Sequence, residues 1–311
     1  MSLADLATLL QDTAASIHHA EQALTDHPMD FATRLNLQSL TKRQTDLQAR
    51  FEEVAAASQV EILYYRLIPN VAEPPIKAIN EVLATFQLAF SIVYDSISRH
   101  VKKTRASLSD SSARASTLGF AYSFEGSVGF ALTLPREAVL LPTDHDATVK
   151  AIRDLTTVRN ADDVQKFAND YGTAAVRSIY KWVDAIARND LDSGVRWASP
   201  SAAPEPEFLL QVPDARAIRE VLASTSVVEV EDKRYRGTLL GYDSQKRTFR
   251  YAIGDRKNVH GTVSKDITQT LRVPAKYDAR VRVTTTSRYS TDQKEERFEL
   301  LEITPSEALE K

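Results

Sequence analysis

Leu3, Leu6, Leu10, Thr13, Ile17, Ala20 and Leu24 recur at alternating intervals of three and four residues, and that spacing places them on one seam of a helix. The break TDHPMD follows, where Pro28 stops one helix and sits near the start of the next. A second heptad series then runs through Leu37, Leu40, Gln44, Leu47, Phe51 and Val54. Two helices joined by so short a loop pair antiparallel. A hairpin of this kind has little core of its own, so its seam must face either the rest of the chain or another copy of it. Heptads do not say which. Self-association through Leu3, Leu6, Leu10, Ile17, Leu37, Leu40, Leu47 and Phe51 is one expectation, and packing within the chain is the other.

The period then changes. VEILYYRLIP, residues 60–69, is apolar on both faces and rich in aromatics, which predicts a strand inside a sheet. After Glu73-Pro74-Pro75 a helix begins, with Ile76, Ile79, Leu83, Phe86, Phe90, Val93 and Ile97 as one stripe widened by Val82, Ala89 and Ile92. So broad a stripe predicts a central, well-covered helix. RHVKKTRASLSDSSARAS, 99–116, reads as the end of that helix and a mobile serine-rich loop. AVLLP at 138–142 predicts a short strand, and Thr143-Asp144-His145-Asp146 a capped helix to about Val158. Helices follow at 160–171 and 173–188. SGVRWASPSAAPEPEF, 193–208, reads as a linker.

Beyond a short helix, DARAIREVLAST, strands are predicted at 226–231, 234–242, 247–253, 258–263, 278–286 and 296–303. That density suggests a small closed or nearly closed barrel. The expected fold is therefore α+β and multidomain: a helical hairpin (1–58), a central α+β domain (59–192), a linker and short helix (193–225), and a small β-barrel of SH3/Sm-like type (226–311).

The chain has no cysteine, which excludes disulfides, thiolate nucleophiles, Fe–S clusters and cysteine-ligated zinc together. A net charge of −3 over 311 residues gives no global basic field for nucleic acid. The N-terminus has no positive region of the signal-peptide kind. The most apolar window, 82–94, is bounded by Glu81 and Asp95 and is short for a bilayer. A cytoplasmic protein without a membrane segment is expected.

FAYSFEGSVGFALTLP, 120–135, raises the question of a catalytic serine. A nucleophile elbow needs glycine two residues before and after the serine; Ser127 has Glu125 before it. A hairpin accounts for more. With an odd loop centred on Ser127, Phe124 faces Phe130, Tyr122 faces Leu132 and Phe120 faces Leu134, giving one continuous apolar face. No nucleophile, base and orienting group can be assembled elsewhere, so no catalytic residue is assigned. His18 and His19 point about 100° apart on a helix and cannot chelate together. Asp144, His145 and Asp146 are explained by a helix start, and neither metal nor cofactor is expected.

Two features invite a polyanion. Arg99, His100, Lys102, Lys103 and Arg105 form the densest basic cluster, which a helix C-terminus also explains. In KRYRGTLLGYDSQKRTFRY, Arg234, Arg236, Arg247 and Arg250 neighbour Tyr235, Tyr242, Phe249 and Tyr251. Phosphate neutralisation with stacking on Tyr251 is what single-stranded nucleic acid requires, and a barrel strand with aromatics inside and arginines outside gives the same listing. The hairpin is acidic, with four basic residues against eight acidic, whereas 229–302 carries sixteen basic against twelve acidic.

YRGTLLGYD, 235–243, resembles the first motif of Sm-like RNA-binding barrels in its Gly237, Leu239 and Asp243, and Val259-His260-Gly261 resembles the second. That resemblance implies a small barrel and RNA as ligand. The whole layout also resembles uncharacterised bacterial proteins with a helical N-terminus, a GS-x-G hairpin and a terminal barrel, which implies no activity and suggests phage defence as a context. The expected function is a non-enzymatic binding or assembly protein that self-associates through its first helices and meets a partner through its barrel. Nucleic-acid binding through the barrel and the 99–105 cluster is the alternative, and an enzyme the third.

Overall fold

The structure, a computed structural model, describes residues 1–70, 73–124, 128–135, 143–199, 207–254, 257–267, 271–289 and 294–306, the side chains of Val227, Glu229, Ser287 and Lys294 excepted. It is a mixed α+β chain, with eight helices and two sheets among the described residues. Two compact units divide it, Met1–Ala223 and Ser224–Lys311.

Helices α1 (Leu3–Asp26) and α2 (Phe31–Ala57) form the hairpin. Ser2 and Asp5 cap α1 reciprocally, and Asp30 receives the Ala32 and Thr33 amides at the start of α2. The α1 seam is buried from Leu6 to Ala20, but only Phe51 and Ala55 are buried on α2. At the hairpin base, Leu6, Ala7, Leu10, Phe51 and Ala55 join Ile62, Tyr64, Tyr122 and Ala131 in one core cluster. Leu6, Leu10, Ile17 and Phe51 are therefore buried within their own chain. Leu3, Leu37, Leu40 and Leu47 are half-buried.

Strand β1 (Val60–Pro69) lies at the centre of a five-stranded sheet in the order β2-β3-β1-β4-β5, with β2 Gly119–Phe124, β3 Val128–Pro135, β4 Leu191–Ala198 and β5 Phe208–Leu210. It pairs antiparallel with β3 and β4. Alternation sends Ile62 and Tyr64 toward the helical hairpin and Leu63, Tyr65 and Leu67 the other way. On that second face Tyr65 meets Phe86 of α3 (Ile76–Ser98) and Trp182 of α7 (Thr173–Asn189). Helices α5 (Asp144–Thr156) and α6 (Ala161–Tyr171) complete this layer. By length and composition α3 is the one helix among the described residues apolar enough to cross a membrane, and much of it is buried in this core.

Three expectations are corrected. Residues 193–198 are not a linker but most of β4, paired along β1. The β2–β3 register is not the odd one: Phe124 faces Gly129 and Tyr122 faces Ala131, and an irregularity near Ala121 then brings Phe120 opposite Leu132. The cause is size. A Cβ at Gly129 would fall 2.4 Å from the Phe124 ring, so the large side chains are seated over the small ones. Ser127 and the 138–142 strand lie outside the described residues.

The third concerns 99–116, which holds a helix, α4 (Asp110–Ser116), capped by Ser109. Lys103 is buried and paired with fully buried Asp95, and its backbone is clipped to Tyr171 and Ala174 at 3.1 and 2.8 Å. Gly172, at φ +91°, permits that approach, since a Cβ there would stand 2.1 Å from the Lys103 nitrogen. The segment is pinned, not loose.

The second unit is a closed barrel of β6 (Ser226–Asp243), β7 (Thr248–Ile253), β8 (Lys257–Val263), β9 (Ala275–Arg288) and β10 (Lys294–Pro305), ordered β10-β8-β7-β6-β9. The stretches 226–231 and 234–242 are one long strand, β6, which pairs with β9 and, through its second half, with β7. Strand β10 closes the barrel antiparallel to β9 and parallel to β8. Gly261 makes the parallel contact possible: a Cβ there would sit 2.0 Å from the Phe298 carbonyl. Leu239, Phe249, Tyr251, Val259, Tyr277, Val281, Val283, Leu300 and Ile303 fill the interior.

Burial opposes charge on Asp95, but hydrogen bonds from Lys103, Ser112 and Ser109 and the Lys103 charge outweigh it and hold the carboxyl below the ordinary aspartate range. A depressed carboxyl contributes stability above its unfolded value of about 3.9 and loses it as pH falls further. Asp95→Asn strands a buried cation and should cost about 3–5 kcal/mol at neutral pH. Urea unfolding should show that gap, and it should shrink toward pH ~3; equal midpoints at neutral pH would contradict the account.

Candidate binding face of the barrel

Along β7, Phe249 and Tyr251 point inward, so Thr248 and Arg250 point out. Along β8, Val259 and Val263 point inward, and Asn258, His260 and Thr262 out. Cross-strand pairing sets Arg250 opposite His260 and Thr248 opposite Thr262, while on the other side Arg250 lies opposite Gly241 of β6. An ideal Cβ on Gly241 would be 3.8 Å from that of Arg250, so the arginine stem runs across open backbone. The result is a flat outer face of β6, β7 and β8 with Arg250 near its middle.

Tyr251 is not on this face. It is fully buried, and its hydroxyl donates to the Tyr235 carbonyl at 3.2 Å and the Tyr277 carbonyl at 2.5 Å. Desolvation pushes its hydroxyl up to about 12, so it stays protonated. Tyr235 and Tyr242 are half-buried against the same core. The interleaved arginines and aromatics are thus the two sides of barrel strands. The exposed large apolar residues of the described barrel are the aliphatic Val228, Val230, Leu240 and Val273, which offer no stacking platform.

The cations sort by strand. Arg280 pairs with Asp232 and Glu302, Arg282 with Asp232 and Glu299, and Arg236 lies 3.6 Å from Asp278. Lys257 reaches Glu296 at 3.5 Å. Cross-strand acids thus engage these four cations. Arg247 is spent otherwise: at φ +51° its guanidinium donates to the Val263 and Ser264 carbonyls, fastening the β6–β7 turn to the end of β8. Among the described residues of the barrel, Arg234, Lys246, Arg250, His260, Lys265, Arg272, Lys276 and Arg288 form no ion pair. Three of these, Lys246, Arg250 and His260, belong to the β6–β8 side.

The 99–105 cluster does not assemble. Lys103 is buried on Asp95, Arg99 stands 3.8 Å from the same carboxylate, and only Lys102 and Arg105 remain exposed and unpaired. Composition alone cannot separate a solvated lysine from one turned into a core.

A second constellation escaped the sequence reading. Glu61, fully buried on β1, lies 2.6 Å from His145 Nδ1 and accepts from the Thr143 hydroxyl at 2.9 Å. His145 Nε2 meets the Ala115 carbonyl at 3.0 Å, and Tyr94 stacks on the ring at 4.7 Å. Trp197 Nε1 donates to Asp146 at 2.7 Å. Both ring nitrogens are occupied, so the histidine braces β1, α4 and α5 against one another. The His145 position was visible as a helix start; the Glu61 partner, 84 residues earlier, was not. No group of three or more His, Asp or Glu able to hold a metal occurs among the described residues.

No family model, curated protein or solved structure matches this chain.

If Tyr251 is a core residue, Tyr251→Phe should cost about 1 kcal/mol for the lost hydroxyl, and Tyr251→Ala about 3–5 kcal/mol. Urea denaturation measures both. A fully stable Tyr251→Ala variant would return the ring to the surface.

Proposed function

We propose that this is a non-enzymatic binding protein whose barrel recognises a phosphate-bearing polymer through the outer face of β6, β7 and β8. The supporting observation is a local grouping: Arg250 and Lys246 form no ion pair and share the β6–β8 side with the exposed His260, while Arg280 and Arg282 are held by acids of neighbouring strands. An exposed cation with no acid beside it can exchange its counterions for phosphates, whereas a paired one must first break a bridge.

Connectivity supports the same face. The first strand pairs with the second and fourth, and the third runs parallel to the fifth, which favours an OB-type Greek-key barrel over the SH3/Sm-like reading. In such barrels the second and third strands and the first turn contact oligonucleotides or oligosaccharides. Here those are β7, β8 and the turn bearing Lys246. Without exposed aromatics, backbone contact would dominate over base stacking, and binding would depend strongly on salt.

Assembly remains part of the proposal, through a different surface. With Leu6, Leu10, Ile17 and Phe51 buried in their own chain and Leu3, Leu37, Leu40 and Leu47 half-buried, the exposed large apolar residues at the hairpin tip are Met29, Phe31 and Leu35, at 92%, 68% and 50% exposure. Light scattering should give a mass above one chain, reduced to one chain by substituting these three with serine; a monomeric parent removes this element.

For the barrel, a labelled single strand titrated at two salt concentrations should bind more weakly at the higher one. Arg250→Ala and Lys246→Ala should each lower the salt slope by about 0.7–1. Arg280→Ala should leave it unchanged. Binding insensitive to salt, or equally reduced by Arg280→Ala, would contradict this reading.

A further inference from the structure

Where the helical hairpin rises from the sheet, a cleft of about 240 Å³ opens between α2 and the strands β1, β2 and β4. Across its floor the strand registers place Tyr122, Ala131, Tyr64 and Arg196 in one row. The small Ala131 leaves room for a tyrosine on either side. Gln44 and Gln48, one turn apart on α2, form the opposite wall.

The cleft presents donors from Tyr64, Tyr122, Arg196 and the two glutamine amides, beside the Glu207 carboxylate and the glutamine carbonyl oxygens. Tyr64 is 5% exposed, and its hydroxyl makes no hydrogen bond of normal geometry, having the Tyr122 hydroxyl as its polar neighbour. Burial, then the neighbouring Tyr122 and Glu52, raises its pKa, and burial pushes the Tyr122 hydroxyl up to about 12, so both stay protonated. The Arg196 guanidinium lies 3.9 Å over the Tyr64 ring and gives one nitrogen, Nη2, to Glu52 at 2.9 Å. Its Nε and Nη1, and both glutamine amides, have no partner among the described residues. One of these acceptors is already engaged: Glu207, seated against Gly194, takes Nε and Nη2 of Arg66 at 3.2 and 2.8 Å. Arg66 thus shows how this wall holds a carboxylate, and Arg196 on the adjacent strand has the same fork only partly used.

A buried hydroxyl without a partner is costly, and native chains rarely keep one without a reason. We propose that this cleft is a binding site for a small oxyanion, a carboxylate or phosphate of metabolite size, whose oxygens accept from Tyr64, Tyr122 and Arg196 while Gln44 and Gln48 close over it. The site belongs to the first unit and does not depend on the barrel face.

The test uses the full chain carrying Arg250→Ala and Lys246→Ala, which removes the barrel's proposed contribution. Inorganic phosphate, citrate and adenosine monophosphate are titrated by calorimetry against a sodium chloride control. Citrate alone binding indicates a carboxylate ligand; phosphate or the nucleotide binding indicates a phosphate. Saturable binding of at least one probe is expected, weakened tenfold or more by Tyr64→Phe and less by Gln48→Ala. Without probe, Tyr64→Phe should unfold at the same temperature or higher, because it deletes an unsatisfied group. The proposal falls if none of the three probes binds, if Tyr64→Phe leaves binding unchanged, or if it destabilises the free protein.

Discussion

Strand β1 must satisfy two helical layers at once, and the first unit is arranged around that constraint. Its alternate residues are apolar toward both faces, Ile62 and Tyr64 toward the hairpin and Leu63, Tyr65 and Leu67 toward α3 and α7. The polar atoms it carries inward must then be matched where they fall. Tyr65 Oη receives Trp182 Nε1 at 2.8 Å and Ser193 Oγ at 2.6 Å, joining α7 and β4 through one oxygen. Glu61 is matched by His145 and Thr143, which fixes the start of α5. One strand therefore determines where four other elements begin or pack.

That constraint explains which parts of the fold were legible in the residues. The longer helices were, because period and caps are local: Asn160 and Thr143 stand where the chain must turn into a helix, whereas the seven-residue α4 was hidden in a serine-rich run. Strand β4 was not, because Ser193, Gly194 and Ser199 have linker composition; the structure gives the first two packing reasons, a hydroxyl for Tyr65 and room for Glu207. The β2–β3 register was misread for a related cause. Alternation selects a register only when one face is dry and the other wet. Here β2 is exposed at Gly119, Phe120 and Ser123 and buried only at Tyr122, so its apolar residues do not mark one dry face, and the choice passes to size, with Phe124 over Gly129 and Tyr122 beside Ala131.

In the barrel the outward arginines could be read from alternation, but not which of them are engaged. Asp232, which holds Arg280 and Arg282, lies 48 and 50 residues away from them in sequence. Only the β6–β9 register brings them together. Tyr251 shows the same limit from inside: its place in an aromatic-basic run said nothing of the two carbonyls that hold it in the core.

The two candidate sites rest on different physics. Arg250 and Lys246 are exposed and solvated, and an unpaired surface charge costs the fold almost nothing, so their significance lies in position alone: they stand together on the β6–β8 side, while Arg280 and Arg282 are held by acids of neighbouring strands. The Tyr64 hydroxyl is the reverse case. A buried donor with no acceptor lowers stability by about 1–3 kcal/mol, and phenylalanine would fill the same space without that loss. Its significance therefore lies in energy, and the row of tyrosines and Arg196 beneath the hairpin is best understood as completed by an acceptor from outside the chain.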